Sequence, residues 1–381
     1  MPTPSPIIII ADDLSGAAEL AGIAFQNGLS AVVHHVFSDT TDPQPVQLLA
    51  NFSESPADVI AIDTDSRNLP SATAAARVHT VAKHLLAIHP AWIFKKVDSV
   101  LRGNVRSEIE ALLGVTGHQQ SLLISADPSR GRTIQHSRYF IDGIPLHETH
   151  FATDPHFPRH TSDVSSLLAL TPSQDNQQNA LPHIATPDVT TSADLAQLAK
   201  NCGPKTMPAG AADFFQALLD ERIPSSRTTR QGVEHPKVTP PALLICGSRA
   251  AWRTRMQDCQ SAGIPIHILG SPSNGFYPPH TAGLIGLGDD HHADSEQALR
   301  ALATASTEII KSFAVKTVLA EGGATAAALA QAKHWSQFTV VATSTGGVGV
   351  LQPTTPGAPR FLIKPGSYPW PTQIWQSFIR P

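Results

Sequence analysis

Cysteine is scarce. The 381 residues include three, Cys202, Cys246 and Cys259. An odd, widely spaced set forms neither a disulfide framework nor a paired metal knuckle. These thiols read as small buried hydrophobes. Charge is thin as well: Asp, Glu, Lys and Arg make up 15% of the chain, and the formal net charge is −4. That balance excludes a broad nucleic-acid surface, so an anionic ligand must be met by a local cluster of Lys and Arg. No apolar run approaches the roughly 20 residues of a membrane span. The opening Met1–Pro6 has no basic residue and no apolar signal core. The expectation is a cytoplasmic protein with no membrane and no nucleic-acid partner.

Several motifs are missing too. There is no GxxxxGK[ST], so this is not a P-loop enzyme, and no GxGxxG follows the first strand, which disfavours a Rossmann dinucleotide site. His147, His150, His156 and His160 lack a tight metal spacing such as HExxH, and His291–His292 reads as surface. The metal ligands are unknown at this level. No short internal repeat is evident.

What is present is an alternation of strands and helices, with 32 prolines spread through the connections. The length predicts about two or three domains. Ile7–Ile10 reads as a strand buried on both faces, followed by Asp12–Asp13, a Ser15–Gly16 turn and the helix-forming run Ala17–Ala21. Ala31–Val33 is a second strand. Asp58–Arg67 is an apolar strand running into a polar end, and Ala72–Leu86 is a helix. Trp92–Phe94 ends in Lys95, Lys96, Asp98, Ser99 and Arg102; Ser121–Ala126 ends at Asp127–Thr133. Tyr139–Leu146 carries a hairpin signal at Asp142–Gly143. A second strand–turn–helix pattern starts at Ala242 after a Pro- and polar-rich stretch. The predicted architecture is α/β, with two α/β domains of mainly parallel sheet and a ligand cleft between them. The predicted boundaries are 1–222, a linker at 223–241, and 242–381.

Apolar strands do not need charged tips to fold, and α/β sheets place ligands at their carboxyl edge. Asp12 and Asp13 are therefore candidates to position or deprotonate a hydroxyl, or to help hold a metal; helix capping accounts for one of them, not both. Arg102 suits a forked pair of hydrogen bonds to a carboxylate. Asp127, Arg130 and Arg132 form a second anion-binding corner, for which a surface ion pair is the plainer reading. In the second half, Gly322–Gly323–Ala324–Thr325, and less well Ser248, suit phosphate held at a helix N-terminus.

The pieces resemble a family. Ala11–Ala17 resembles the ADDLTGA opening of the four-carbon acid sugar kinases, and Lys96–Asn104 their KxDSTLRGN. Gly131–Thr133, Gly143–Leu146 and Thr149–Pro155 are similar to QGRT…NGVPLxxTxFAxDP; Gly322–Ala326 to GGDTA; Lys364–Ser367 to the terminal KSGNFG. The matches keep their order over nearly the whole chain. The resemblance implies an acid-sugar-binding N-terminal domain, an ATP-binding C-terminal domain and Mg²⁺. By position, it implies that Asp12, Asp13, Lys96, Asp98, Ser99, Arg102, Gly103, Asn104 and Arg132 serve the sugar acid. Ser248, Gly322, Gly323, Ala324, Thr325, Ala326 and Gly366 would serve ATP. Two departures lie on the nucleotide side: Ala324 replaces an acid, and Pro365 with Tyr368–Trp370 replaces a plain glycine loop.

The function expected is ATP-dependent phosphorylation of the terminal hydroxyl of threonate, erythronate or a 3-oxo-tetronate. Arg102 and Lys96 would hold the carboxylate, and Asp12 or Asp13 the hydroxyl. The partners are a small acid sugar and ATP, and a homodimer is compatible. Two alternatives stay open: a sugar-acid sensor without catalysis, and a Mg²⁺-dependent phosphatase, although the latter wants DxD spacing rather than adjacent acids.

Overall fold

Four isoleucines in a row leave no polar face, and β1, Ile7–Ala11, is buried throughout. The structure, a computed structural model, describes residues 5–36, 57–154, 156–170, 183–223, 236–270, 281–288, 295–342, 344, 346–366 and 368–380. By packing, the chain forms two units: Met1–Asp12 with Thr40–Thr228, and Asp13–Asp39 with Thr229–Pro381.

The strands in chain order begin with β1, β2 (Ala31–His35), β3 (Val59–Asp63), β4 (Trp92–Lys96) and β5 (Gln120–Ile124). Next come β6 (Arg132–Gln135), β7 (Arg138–Ile141), β8 (Ile144–Pro145), β9 (His183–Ala185) and β10 (Thr206–Gly210). The later ones are β11 (Ala242–Cys246), β12 (Ile266–Ile268), β13 (Ala282–Gly286), β14 (Thr317–Glu321), β15 (Gln337–Ala342), β16 (Gly349–Pro353) and β17 (Arg360–Lys364).

In the first unit the order is β3-β1-β4-β10-β5-β9, all parallel. The register matters for the site. Asp63 pairs with Ala11, Ala11 with Lys96, Lys96 with Gly210, and Gly210 with Ile124. The strands end level, so the residues after them share one edge. The helix Ser71–Leu86 buries Ala74, Val78, Val81, Ala82 and Leu85, an i, i+4, i+7 stripe. A small antiparallel sheet, β6-β7-β8, hangs beside this edge. Its Asp142–Gly143 turn has φ of 49° and 78°, the two positive values of the hairpin the sequence predicted.

β10 was not predicted. It carries Pro208 and ends in glycine, and proline is unusual in a strand with neighbours on both sides. Gly210 is required there: at φ 158° a Cβ would lie 2.1 Å from the Ile124 carbonyl oxygen.

The second unit has parallel strands β12-β13-β11-β14-β17, continued by β16, β15 and β2 in antiparallel pairing. β16 was not predicted. Residues 13–39 group with this unit rather than with the N-terminal one, which differs from a division at 222. The helix Leu14–Gln26 buries Leu14, Ala17, Ala18, Leu20 and Ala21. It packs so near β16 that a Cβ at Gly349 would sit 2.4 Å from that of Ala18. Residues 224–235 of the predicted linker lie outside the described residues.

Candidate functional site

In the first unit the level strand ends gather charge. Arg67, after β3, forks onto Asp12, after β1: Nε donates to Oδ2 at 2.7 Å and Nη2 to Oδ1 at 2.9 Å. Arg102 forks onto Asp98 in the same way, at 3.1 and 2.8 Å, and its Nη1 donates to Asp154 Oδ2 at 3.1 Å. Asp98 also accepts the backbone N–H groups of Val100 and Arg102. Forked, charge-assisted pairs are the strong ones. Burial alone would raise the pKa of Asp98, but Arg102 and Arg67 outweigh it and hold the carboxyl well below the usual range. Asp12 is lowered as well: burial works against ionisation, and Arg67 overrides it.

A second layer lies beneath. Lys95 donates to Glu108 Oε2 at 2.6 Å, and Ser66 Oγ to Glu108 Oε1 at 2.7 Å. Burial raises the pKa of Glu108, with Lys95 opposing. Asn104 donates its amide to the carbonyls of Ser66 and Leu69 at 3.1 and 2.8 Å. That ties the turn after β4 to the turn after β3. Gly103, at φ 86°, fits where a Cβ would press on Arg67 and Asp12. Lys96 is buried, and its Nζ donates to the Val97 carbonyl at 2.8 Å.

The third group surrounds Phe151. The guanidinium carbons of Arg102 and Arg132 stand 5.6 and 5.9 Å from its ring centroid. Arg132 donates to Ser99 Oγ, and Tyr139 Oη donates to the Ser99 carbonyl at 2.5 Å. Arg159 donates from Nη2 to the Leu101 carbonyl at 3.1 Å. The field here is positive. His150, stacked on Phe151, has its pKa lowered by burial and then by Arg132 and Arg102. The corner at Asp127 is more self-contained: Asp127 accepts from Asp213 N at 2.8 Å and pairs with Arg130 at 3.5 Å.

In the second unit, Asp13 caps the helix Leu14–Gln26, accepting from Gly16 N at 3.0 Å and from Ser15 Oγ at 2.5 Å. Capping thus does explain one of the two acids. Gly322 joins β14 to the helix Gly323–Ala332 at φ 98°, a conformation glycine adopts freely. A Cβ at Gly366 would lie 3.9 Å from Gly322 Cα, and one at Gly247 would lie 2.4 Å from Thr325 Oγ1. The glycine turns after β11, β14 and β17 therefore do come together. Thr325 and Ala326 are buried, and Ala324 is exposed. Ser248 caps its own helix, accepting from Ala251 N at 3.4 Å.

Below these turns Glu321 accepts from Arg255 at 2.9 Å and from the Trp370 indole at 2.8 Å, and pairs with Lys364 at 3.0 Å. Lys364 also donates to the carbonyls of Pro365 and Tyr368. Burial lowers its pKa, with Glu321 opposing. The sequence departures at 365 and 368–370 thus sit on an ordered cluster.

Arg67, Glu108, Phe151, Asp154 and Arg159 were not singled out from sequence. Arg67 had a signal, since it closes a polar strand end as Asp12 and Asp98 do. Phe151 and Asp154 had one as well, as fixed letters of the TxFAxDP match at Thr149–Pro155; Glu108 and Arg159 had none, because their partners are far away in the chain. Among the described residues no group of three or more His, Cys, Asp or Glu is placed to hold a metal ion. No helix among them is long and apolar enough to cross a membrane.

Comparison with known proteins agrees with the motifs. A D-threonate kinase of Salmonella typhimurium is 26% identical over 66% of this chain and 60% of its own length. A D-erythronate kinase of Heliobacterium modesticaldum is 34% identical over 43% of this chain and 36% of its own. The matched part thus spans less than two thirds of either relative. A solved Haemophilus influenzae structure shares the fold, with a TM-score of 0.65 and 17% identity over 97% of this chain and 98% of that one. The resemblance to the four-carbon acid sugar kinases is borne out. Residues 7–218 match the family described as the sugar-binding N-terminal domain, and to that family this chain belongs.

Proposed function

We propose that the protein is an ATP-dependent kinase that phosphorylates the terminal hydroxyl of a four-carbon acid sugar: threonate, erythronate or a 3-oxo form. The observation that carries this reading is the cluster of Arg102 and Arg132 over Phe151, with Arg159 over Phe157, beside Asp98 and Asp154 at the carboxyl edge of a parallel sheet. A small substrate with one carboxylate and several hydroxyls suits that mixture of cations, carboxylates and Ser99.

Phosphoryl transfer asks a protein chiefly for positioning and for neutralisation of charge. At Gly322 and Gly366 a Cβ would meet nothing nearer than 3.9 Å, so these two turns leave room that suits phosphate at the N-terminus of the helix Gly323–Ala332. These residues would hold the ATP phosphates, with Thr325 beside them. Mg²⁺, brought in with ATP, would supply neutralisation of the phosphate charge. One of Asp12 and Asp13 orients the attacking hydroxyl. Asp12, held ionised by Arg67, accepts a hydroxyl hydrogen bond without taking the proton.

The test is an ADP-release assay with a panel of tetronates, ATP and Mg²⁺. Release that depends on one tetronate is the expected result. Background release with every member of the panel rejects the kinase reading.

A further inference from the structure

The sugar-acid carboxylate was assigned to Arg102 from sequence, and the geometry argues against that. All three kinds of nitrogen in Arg102 are engaged: Nε and Nη2 on Asp98, Nη1 on Asp154. Arg67 has Nε and Nη2 on Asp12. A substrate carboxylate recruiting either fork would have to displace a buried carboxylate of the protein and leave it uncompensated, which is strongly unfavourable.

Arg159 differs. It is 9% exposed, and its Nη2 donates to the Leu101 carbonyl at 3.1 Å. Its Nε is buried and has no hydrogen-bond partner. Its backbone N–H donates to the Phe151 carbonyl at 2.9 Å, which fixes it to the residue whose ring lies beneath Arg102 and Arg132. The charges that act on it are those of Asp98, Arg102 and Asp154, so it belongs to the same cluster. Burying a guanidinium N–H without an acceptor is costly, and such groups are rare in folded proteins. The guanidinium groups of Arg102 and Arg132 stand over Phe151 and that of Arg159 over Phe157, 6.0 Å from its centroid, so three cations share this corner with two carboxylates, Asp98 and Asp154. One further anion would balance them.

We infer that Arg159 is the residue that binds the substrate carboxylate, through its unpartnered Nε, with Arg102 acting as the brace that holds Asp98 and Asp154. This rests on the kinase reading above and deepens it. Specificity for an acid over the corresponding polyol then resides in Arg159.

The experiment compares wild type with Arg159→Gln and Arg159→Lys, using D-threonate or D-erythronate, whichever wild type accepts, against the matching uncharged tetritol. Failure of every tetronate to raise wild-type ADP release above background would reject the kinase reading itself, and wild type is assayed first. Given turnover, Arg159→Gln should raise KM for the tetronate at least thirtyfold and leave KM for ATP within twofold. The preference for tetronate over tetritol should collapse. Arg159→Lys, which keeps a charge but loses Nε, should raise the tetronate KM about tenfold; it also serves as the readout should the glutamine variant not fold. An unchanged tetronate KM overturns the inference. Equal losses on tetronate and tetritol also overturn it, since they would mark Arg159 as a structural bridge between Leu101 and Phe151.

Discussion

The carboxylate of Asp13 occupies the space where any side chain on residue 323 would begin: a Cβ at Gly323 would lie 2.2 Å from Asp13 Oδ2. The second glycine of the Gly322–Gly323 turn is therefore required by an acid more than three hundred positions earlier in the chain, in addition to any nucleotide. The same acid caps the helix Leu14–Gln26, so its position is set from both sides.

Gly323→Ala should leave the fold intact and cripple turnover. The obstructing atom is the far end of a side chain, so Asp13 moves and the backbone does not. The melting temperature should shift by no more than a few degrees, while kcat falls at least tenfold. Gly210→Ala is the contrast: there a Cβ meets the Ile124 backbone at 2.1 Å, and stability itself should be lost. Unchanged kcat in Gly323→Ala would show that the position of Asp13 is immaterial.

Removing Arg102 should destabilise the first unit. Arg102→Ala leaves Asp98, 5% exposed, without its forked partner. Breaking a buried pair from one side costs about 3 kcal/mol. Urea unfolding of Arg102→Ala, Asp98→Asn and the double variant measures it. The double variant should regain part of the loss, because the uncompensated charge is gone. Purely additive losses would mean that the two residues do not act as a pair.

His34 should make stability depend on pH. Burial pushes its imidazole down to about 4. In the unfolded chain it protonates below about 6.5, while in the fold it stays neutral. Stability is therefore full above pH 6.5 and falls as pH drops toward 4, by about 3 kcal/mol from this group. His34→Gln should show a flatter profile over that window by a similar amount. Parallel profiles for the two proteins would rule His34 out as the source.

Lys364→Met should act on the nucleotide. The ammonium group ties the carbonyls of Pro365 and Tyr368 to Glu321. Without it the turn carrying Gly366 loses its donor and Glu321 Oε1 its ion-pair partner, while Arg255 and Trp370 still donate to Oε2. KM for ATP should rise roughly tenfold, with KM for the tetronate within twofold. An unaltered ATP KM would remove Lys364 from any role in shaping that turn.

Strands with unbroken apolar runs were legible without coordinates, as Ile7–Ile10 and Ala242–Ile245 show. β10 was hidden because Pro208 and Gly210 are residues that strands avoid. β16 was hidden because it starts at Gly349, whose missing side chain admits the helix at Ala18. In both cases close backbone approach outweighed local preference.

The chain's own order of residues determined that it is an α/β protein whose apolar strands end in acids and bases in one half and in glycines in the other. Alternation and periodicity are local properties, and a single chain displays them. Only the tertiary structure decided the partnerships. Arg67 takes Asp12, Arg102 takes Asp98 and Asp154, Arg159 keeps a donor unpaired, and Asp13 turns to Gly323. Those choices depend on distances of a few ångströms between segments remote in sequence, set by strand register and by the burial that makes each charge seek a partner.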